Sequence, residues 1–175
     1  GVQTCALPIL RSVLMESIPG ALSAWPSAKE NDRIGVDWWV EIIGARHIAV
    51  DAKVREQDWA ATHPEEDDLA LETWSVVESG VVGWTRDVAK RCDYVLWLWV
   101  DTGRYCLVPF PMLCSVFSEN WQEWSQQFKV RQQRTTDRAR SYHSECVFVP
   151  RKTVWRAIYK KFSGEGVCLA QPMEV

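Results

Sequence analysis

Several things are missing from this sequence, and each absence closes off a class of protein. No run of residues approaches the roughly 18 consecutive apolar positions of a membrane-spanning helix, so no membrane partner is expected. A charged n-region, a long apolar h-region and a cleavage site do not follow one another near the start, so nothing points outside the cytoplasm. The six cysteines, Cys5, Cys92, Cys106, Cys114, Cys146 and Cys168, form no CxxC pair and no metal-ligand spacing. That disfavours a disulfide scaffold and a zinc ribbon, and buried thiols in a reducing compartment are expected instead. His143-x-x-Cys146 is half of a zinc site with no second half. No internal repeat and no low-complexity tract occurs.

What is present argues for a packed globular protein. Of the 175 residues, 47% are hydrophobic and 11 are Trp, far from the composition of a disordered chain. Gly1–Ile9, GVQTCALPI, resembles the translation of a sequencing-library adapter and is set outside the fold reasoning. The remainder suits one domain over 10–162 followed by a flexible tail over 163–175. The net charge of −3 conceals an asymmetry. Between Lys129 and Lys161 stand ten of the 20 Lys and Arg residues, against only Asp137 and Glu145. A basic segment in an otherwise acidic chain is what contact with a phosphate backbone requires, because neutralised phosphates release counterions. Arg55, Arg131, Arg134, Arg138, Arg140, Arg151 and Lys152 are therefore the candidate DNA-binding residues. Glu65-Glu66-Asp67-Asp68 reads as a solvated loop.

The stretch Ile34–Glu56 organises the rest. Val36, Trp38, Val40 and Ile42, then Ile48, Val50, Ala52 and Val54, occupy alternate positions of two strands joined near Gly44. The intervening positions carry Asp37, Trp39, Glu41, His47, Asp51, Lys53 and Arg55. If both apolar sets share one face, even residues pair with even, and Asp37 falls opposite Asp51 or opposite Lys53. Neighbouring strands lie roughly 4.8 Å apart, so both carboxylates and the ammonium can converge on one small ion. Hard divalent cations such as Mg²⁺ take oxygen ligands of this kind. A lysine beside such an ion can position an attacking water and stabilise developing charge.

Asp37 followed fourteen residues later by Asp51-Ala52-Lys53 resembles the motif of the PD-(D/E)XK nuclease superfamily, which includes restriction endonucleases and Holliday junction resolvases. Val36 stands where the nominal motif has Pro. The resemblance implies an α/β fold: a restriction endonuclease-like core, a mixed β-sheet flanked by helices in αβββαβ order. It implies a Mg²⁺-dependent endodeoxyribonuclease, with Mn²⁺ able to substitute, leaving 5′-phosphate and 3′-hydroxyl ends. Asp37, Asp51 and the main-chain carbonyl of Ala52 would hold the metal, and Lys53 would activate the water. Glu16 or Glu30 from before the hairpin, and Glu72 beyond it, are candidate assisting carboxylates. Glu30 also lies in the run ENDRIGVD, similar to an ENDR-G-[VI]-D pattern of phage-type members. The segments at 72–75, 83–85, 90–94 and 109–113 resemble phage or prophage proteins too, which places the chain in a bacterial or phage-infected cell. Trp39 and Glu41 share the polar face and would shape the substrate groove. A homodimer is a further expectation, since two strands must be cut.

The other elements follow from periodicity. Arg11–Ala24 is read as a short helix ended near Pro19-Gly20, Leu69–Val77 as a third strand, and Thr85–Cys92 as a short helix capped by Thr85. Tyr94–Val100 is apolar throughout, a strand covered on both faces. Tyr105–Val108 forms another strand, and Leu113, Phe117, Trp121, Trp124 and Phe128 set an amphipathic helix over Met112–Phe128. Lys129–Arg140 shows no periodicity and is expected to be a mobile loop. Cys146–Val149 follows as a last short strand, and a helix begins at Pro150 and runs to Phe162. Two other functional classes stay open: a nuclease-fold DNA-binding module that does not cut, and a structural phage protein. No segment resembles a known groove reader, so the sequence names no base preference.

Overall fold

The computed structural model describes residues 2–44, 47–137 and 140–163. It is a mixed α/β structure with sheets flanked by helices. The chain forms two compact units, each assembled from two segments. The first comprises Gly1–Thr62 and Ala89–Pro111; the second comprises His63–Val88 and Met112–Val175.

The first unit opens with α1, Val2–Ser17. Residues 2–9, set aside on the sequence, form its first two turns, and Ala6 is fully buried. Ala6, Leu10, Val13 and Leu14 recur at helical spacing and make one apolar stripe. The strands of this unit are β1 Ala21–Pro26, β2 Trp38–Ile42, β3 Ile48–Arg55, β6 Tyr94–Trp99 and β7 Tyr105–Pro109. They form one sheet in the order β1-β2-β3-β6-β7. The α1 stripe packs with Ala24, Trp38, Val40, Val50, Leu96 and Leu98. Burying each large apolar side chain among these contributes about 1.5–3 kcal/mol.

The hairpin β2–β3 turns at Gly44, whose φ of 66° is left-handed and suits a residue without Cβ. Trp38 pairs with Val50 and Val40 with Ile48, so even residues face even ones, as the apolar alternation requires. Strand β3 then pairs in parallel with β6, and Val95 to Trp99 are all buried. That matches the unbroken apolar run of this strand. β1 was not foreseen: α1 ends at Ser17, and the segment read as the end of a helix becomes an edge strand.

Between β3 and β6 the chain makes no α-helix. Thr85 does not cap one; it lies in a 3₁₀ turn over Trp84–Arg86, and its Oγ1 accepts the Glu72 N–H at 2.9 Å. Tertiary use of the hydroxyl has replaced local capping. The strand expected over Leu69–Val77 exists as β4, Asp68–Val76, but it belongs to the second unit. There it joins β5 Val81–Val82, β8 Val130–Asp137 and β9 Arg140–Pro150 in a sheet ordered β5-β4-β9-β8. The expected mobile loop over 129–140 is thus largely β8, and the last strand is 11 residues long, not four. The tight β4 corner needs Gly83, since a Cβ there would stand 2.3 Å from the Glu72 carbonyl oxygen. Helices α2, Phe110–Gln127, and α3, Arg151–Phe162, run close to their expected bounds. Pro150 is the N-cap of α3, so the helix begins at Arg151, one residue later than expected. Leu113, Phe117, Trp124, Val154 and Ile158 are buried, and Lys161 of α3 pairs with Ser115 and Glu119 of α2. Among the described residues no helix is long and apolar enough to cross a membrane.

One polar cluster fastens the far end of the first sheet. Asp58 is buried, and Arg104 grips both its oxygens, Nε to Oδ2 and Nη2 to Oδ1 at 2.6 Å each. Thr102 Oγ1 adds a third hydrogen bond at 3.0 Å, and the guanidinium lies 3.9 Å from the centre of the Trp99 ring. The Arg104 bonds hold the Asp58 carboxyl below the usual carboxylate range. Arg104→Ala leaves that carboxylate buried without its cation and should cost about 3 kcal/mol or more in urea unfolding at pH 7. A lowered carboxyl pKa adds stability above the unfolded value and loses it as pH falls through the folded one. The gap between wild type and Arg104→Ala should therefore narrow in acid. An unchanged urea midpoint for Arg104→Ala at neutral pH would refute this role.

Candidate functional site

The site begins where β2 begins. Asp37 sits one residue before Trp38; its N–H donates to the Val50 carbonyl at 2.9 Å, and its carbonyl accepts the Ser27 N–H at 2.7 Å. The Ser27 bond continues the β1–β2 register, but Val50 is already the partner of Trp38, so the regular β2–β3 pairing ends at Trp38 and Asp37 stands at its edge. The Asp37 side chain then serves β3 in place of a further strand residue: the Ala52 N–H donates to its Oδ2 at 2.8 Å. In a strand the N–H and C=O of one residue point toward the same neighbour, so the Ala52 carbonyl leaves β3 on the side where Asp37 stands.

Asp51 is buried, and Lys53 Nζ lies 2.8 Å from its Oδ1, with a quarter of the lysine side chain exposed. The Asp37 and Asp51 carboxyls are within hydrogen-bonding reach of each other. Burial first, then the Asp51 charge, raise the Asp37 pKa from 3.8 to about 6; the Ala52 N–H and Lys53 pull it back in part. Two carboxylates against one ammonium leave one net negative charge in a largely buried place. That is the electrostatic setting a divalent cation offsets, with oxygen ligands suited to a hard ion. Residue type, charge and convergence all fit such an ion.

Beside Asp51 stands a group that the sequence reading did not use. Cys92 is buried close enough to feel the Asp51 charge; burial, then Asp51, push its thiol up to about 12, so it stays a neutral thiol. On the Asp37 side of the hairpin, Trp25 and Trp39 pair across β1 and β2. His47 meets the Trp25 ring edge-on at 5.1 Å and lies 6.2 Å from that of Trp39. Trp25 lies just beyond the segment read as a helix, 11–24, and so was not placed on a strand.

The remaining candidates are not drawn into this cluster. Glu30 is exposed on a 3₁₀ turn, Lys29–Ile34, and Glu16 on α1 accepts a hydrogen bond from Ser12. Glu41 accepts the Ser23 hydroxyl at 2.8 Å. Glu72 lies in the second unit, where its Oε2 accepts the Trp84 N–H at 2.9 Å. Among the described residues no group of three or more His, Cys, Asp or Glu side chains is gathered for a metal. Arg55 is exposed at the end of β3, and Arg131 and Arg134 are exposed on β8. Arg151 is committed to Asp67 at 2.9 Å, and Lys152 is exposed on α3. Arg138 lies outside the described residues, and Arg140 is placed by its backbone at the start of β9. His143 Nδ1 lies 2.6 Å from Glu78 Oε1. Compared with protein-family models, with curated proteins and with solved structures, the chain finds no match in any of the three.

A carboxyl whose folded pKa is raised keeps its proton while the unfolded chain has lost it, so its ionisation opposes folding as pH rises through the raised value. In EDTA, Asp37→Asn should therefore raise the melting temperature at pH 8 and change it little at pH 4, as followed by circular dichroism. Equal shifts at both pH values would show that the acids do not repel one another.

Proposed function

We propose that the chain is a metal-dependent endodeoxyribonuclease of the PD-(D/E)XK type. The observation that carries this reading is the meeting of Asp37, Asp51 and Lys53 at one point of the β2–β3 hairpin, with the Lys53 ammonium 2.8 Å from Asp51. The element order lends support: α1, the antiparallel strands β1, β2 and β3, and then β6 parallel to β3. It departs from the αβββαβ pattern in one respect, since the crossover from β3 to β6 runs through 3₁₀ turns and two strands of the second unit instead of a helix.

In this reading Asp37, Asp51 and the Ala52 carbonyl would hold Mg²⁺, with Mn²⁺ able to replace it. When bound, such an ion lowers the pKa of a coordinated water and offsets charge on the phosphate. The chain's own groups supply the rest. Lys53 balances Asp51 before substrate arrives, and its ammonium stands ready to orient a water or to meet the charge developing on the scissile phosphate. Asp37 must give up its proton to act as a ligand, so metal binding competes with protonation at about pH 6. Exposed Arg55, two positions beyond Lys53, is placed on the same strand for a phosphate of the substrate.

The deciding assay offers plasmid, linear, single-stranded and four-way-junction DNA to the full chain, with Mg²⁺, Mn²⁺ or EDTA. Metal-dependent cutting is expected, falling about 10²–10³-fold or more in Lys53→Ala, while the circular dichroism spectrum and Mn²⁺ binding stay unchanged. Undiminished cutting by a folded Lys53→Ala protein would sink the assignment. DNA binding without cutting by the wild type would favour a nuclease-fold binding module instead.

A further inference from the structure

The hairpin made by β8 and β9 has two faces of opposite character. Its strands pair from Val130↔Val147 out to Asp137↔Arg140, whereas β4 accompanies β9 only as far as Glu145. From Gln133↔Ser144 outward, the hairpin is therefore a two-stranded ribbon with no third strand paired to it among the described residues. On one face Gln132, Arg134, His143 and Glu145 are engaged. Gln132 Nε2 donates to Glu145 Oε2 at 3.0 Å, and Arg134 Nε donates to Ser141 Oγ at 2.6 Å. The His143 N–H donates to both Glu78 oxygens at 3.1 Å, with the ring Nδ1 2.6 Å from Oε1. Glu145 Oε1 in turn accepts the Thr73 hydroxyl at 2.8 Å. These bonds order the ribbon before any ligand arrives, which spares a partner that cost.

Alternation puts Arg131, Gln133, Thr135, Tyr142 and Ser144 on the other face. Arg131 lies 5.4 Å from the Phe148 ring, and Gln133, Thr135, Tyr142 and Ser144 make no side-chain hydrogen bond among the described residues. Charged residues on an edge strand commonly serve to block aggregation. That explains Arg131 and Arg134, but not an adjoining column of four neutral hydrogen-bonding side chains. Charge points the same way: Lys129–Ser144 contains Lys129, Arg131, Arg134, Arg138 and Arg140 against Asp137 alone, in a chain of net charge −3.

We infer that this ribbon inserts its Arg131–Gln133–Thr135 face into the major groove of double-stranded DNA. The major groove of B-form DNA, about 12 Å wide, admits a two-stranded ribbon. Arg, Gln and Thr are the side chains that pair with guanine, adenine and the thymine methyl there. The five free paired residues, Gln133 to Asp137, span about 17 Å, enough to enter the groove while the basic residues meet phosphates on its walls. The deep, narrow major groove of duplex RNA shuts such a ribbon out, and a single strand offers no groove. The inference deepens the nuclease reading by naming duplex DNA as the substrate class.

The test is fluorescence anisotropy of the full chain in EDTA, where no cutting chemistry is needed. The probes are a DNA duplex, one of its strands alone, and an RNA duplex of the same sequence. Wild type is expected to bind the DNA duplex about tenfold or more tighter than either alternative. Arg131→Ala with Gln133→Ala should remove most of that preference and lessen the salt dependence by about one phosphate contact. Gln132→Ala, on the engaged face, should leave the preference in place. Unchanged duplex preference in the folded double variant, or equal binding of DNA and RNA duplexes, overturns the ribbon as the reader. Metal-dependent cutting that persists beside that result would leave the acid site standing, so the two proposals fail separately.

Discussion

Register is the constraint on which the candidate site depends. Trp38 faces Val50 because both are apolar and both are needed against α1. A slip of one residue would turn Asp51 and Lys53 into that core and send Val50 to the other face. The cost of burying an ion pair among Leu10, Leu14 and Leu96 forbids it. Hydrophobic burial on one side of the hairpin therefore sets the meeting of charges on the other. Parallel pairing of β3 with β6 adds a second restraint, since Lys53 stands in register with Trp97 and Asp51 with Val95, both buried.

That coupling explains which parts were legible in advance. Strict alternation over 36–42 and 48–54 disclosed the hairpin, its pairing parity and the acid–lysine cluster. The unbroken apolar run at 94–99 and the four-four-three-four spacing of α2 were similarly plain. Other elements carried weaker signals. In β8, Arg131, Gln132, Gln133, Arg134, Thr135 and Thr136 are polar on both faces, so period-two alternation leaves no hydrophobic trace. Only its pairing with β9 makes it a strand. β1 is short, with Leu22 exposed and Ala24 buried, too brief a pattern to outweigh the helix before it. Thr85 had the right chemistry for a cap but is used to hold β4. Sequence distance also misled: β4 follows β3 directly, yet it builds the sheet of the second unit.

The ribbon and the acid cluster rest on different physics. Convergence of Asp37 and Asp51 is electrostatically unfavourable in isolation and persists because the surrounding core holds both strands. On the ribbon, one face is held by the Gln132–Glu145, Arg134–Ser141 and His143–Glu78 bonds, while the other face is left with unspent hydrogen-bonding capacity. Neither arrangement is what stability alone would select. A stabilising edge would carry scattered charge, and a stabilising hairpin would pair Asp37 with a cation instead of a second acid.

Two acids of the first unit, Asp58 buried and Asp37 half-buried, make the contrast sharper. Asp58 receives a two-pronged guanidinium and a hydroxyl, and its carboxyl is held low. Asp37 receives one main-chain N–H, faces another carboxylate, and is held high at about 6. The same unit thus knows how to satisfy a buried carboxylate and does so where the role is to join β7 to the loop after β3. At Asp37 it does not. Raised pKa values of this origin, from burial and a neighbouring acid, gather where chemistry is done. Among the described residues of this unit, that imbalance is why the acid pair, and not the better-bonded Asp58 cluster, is the place to look for activity.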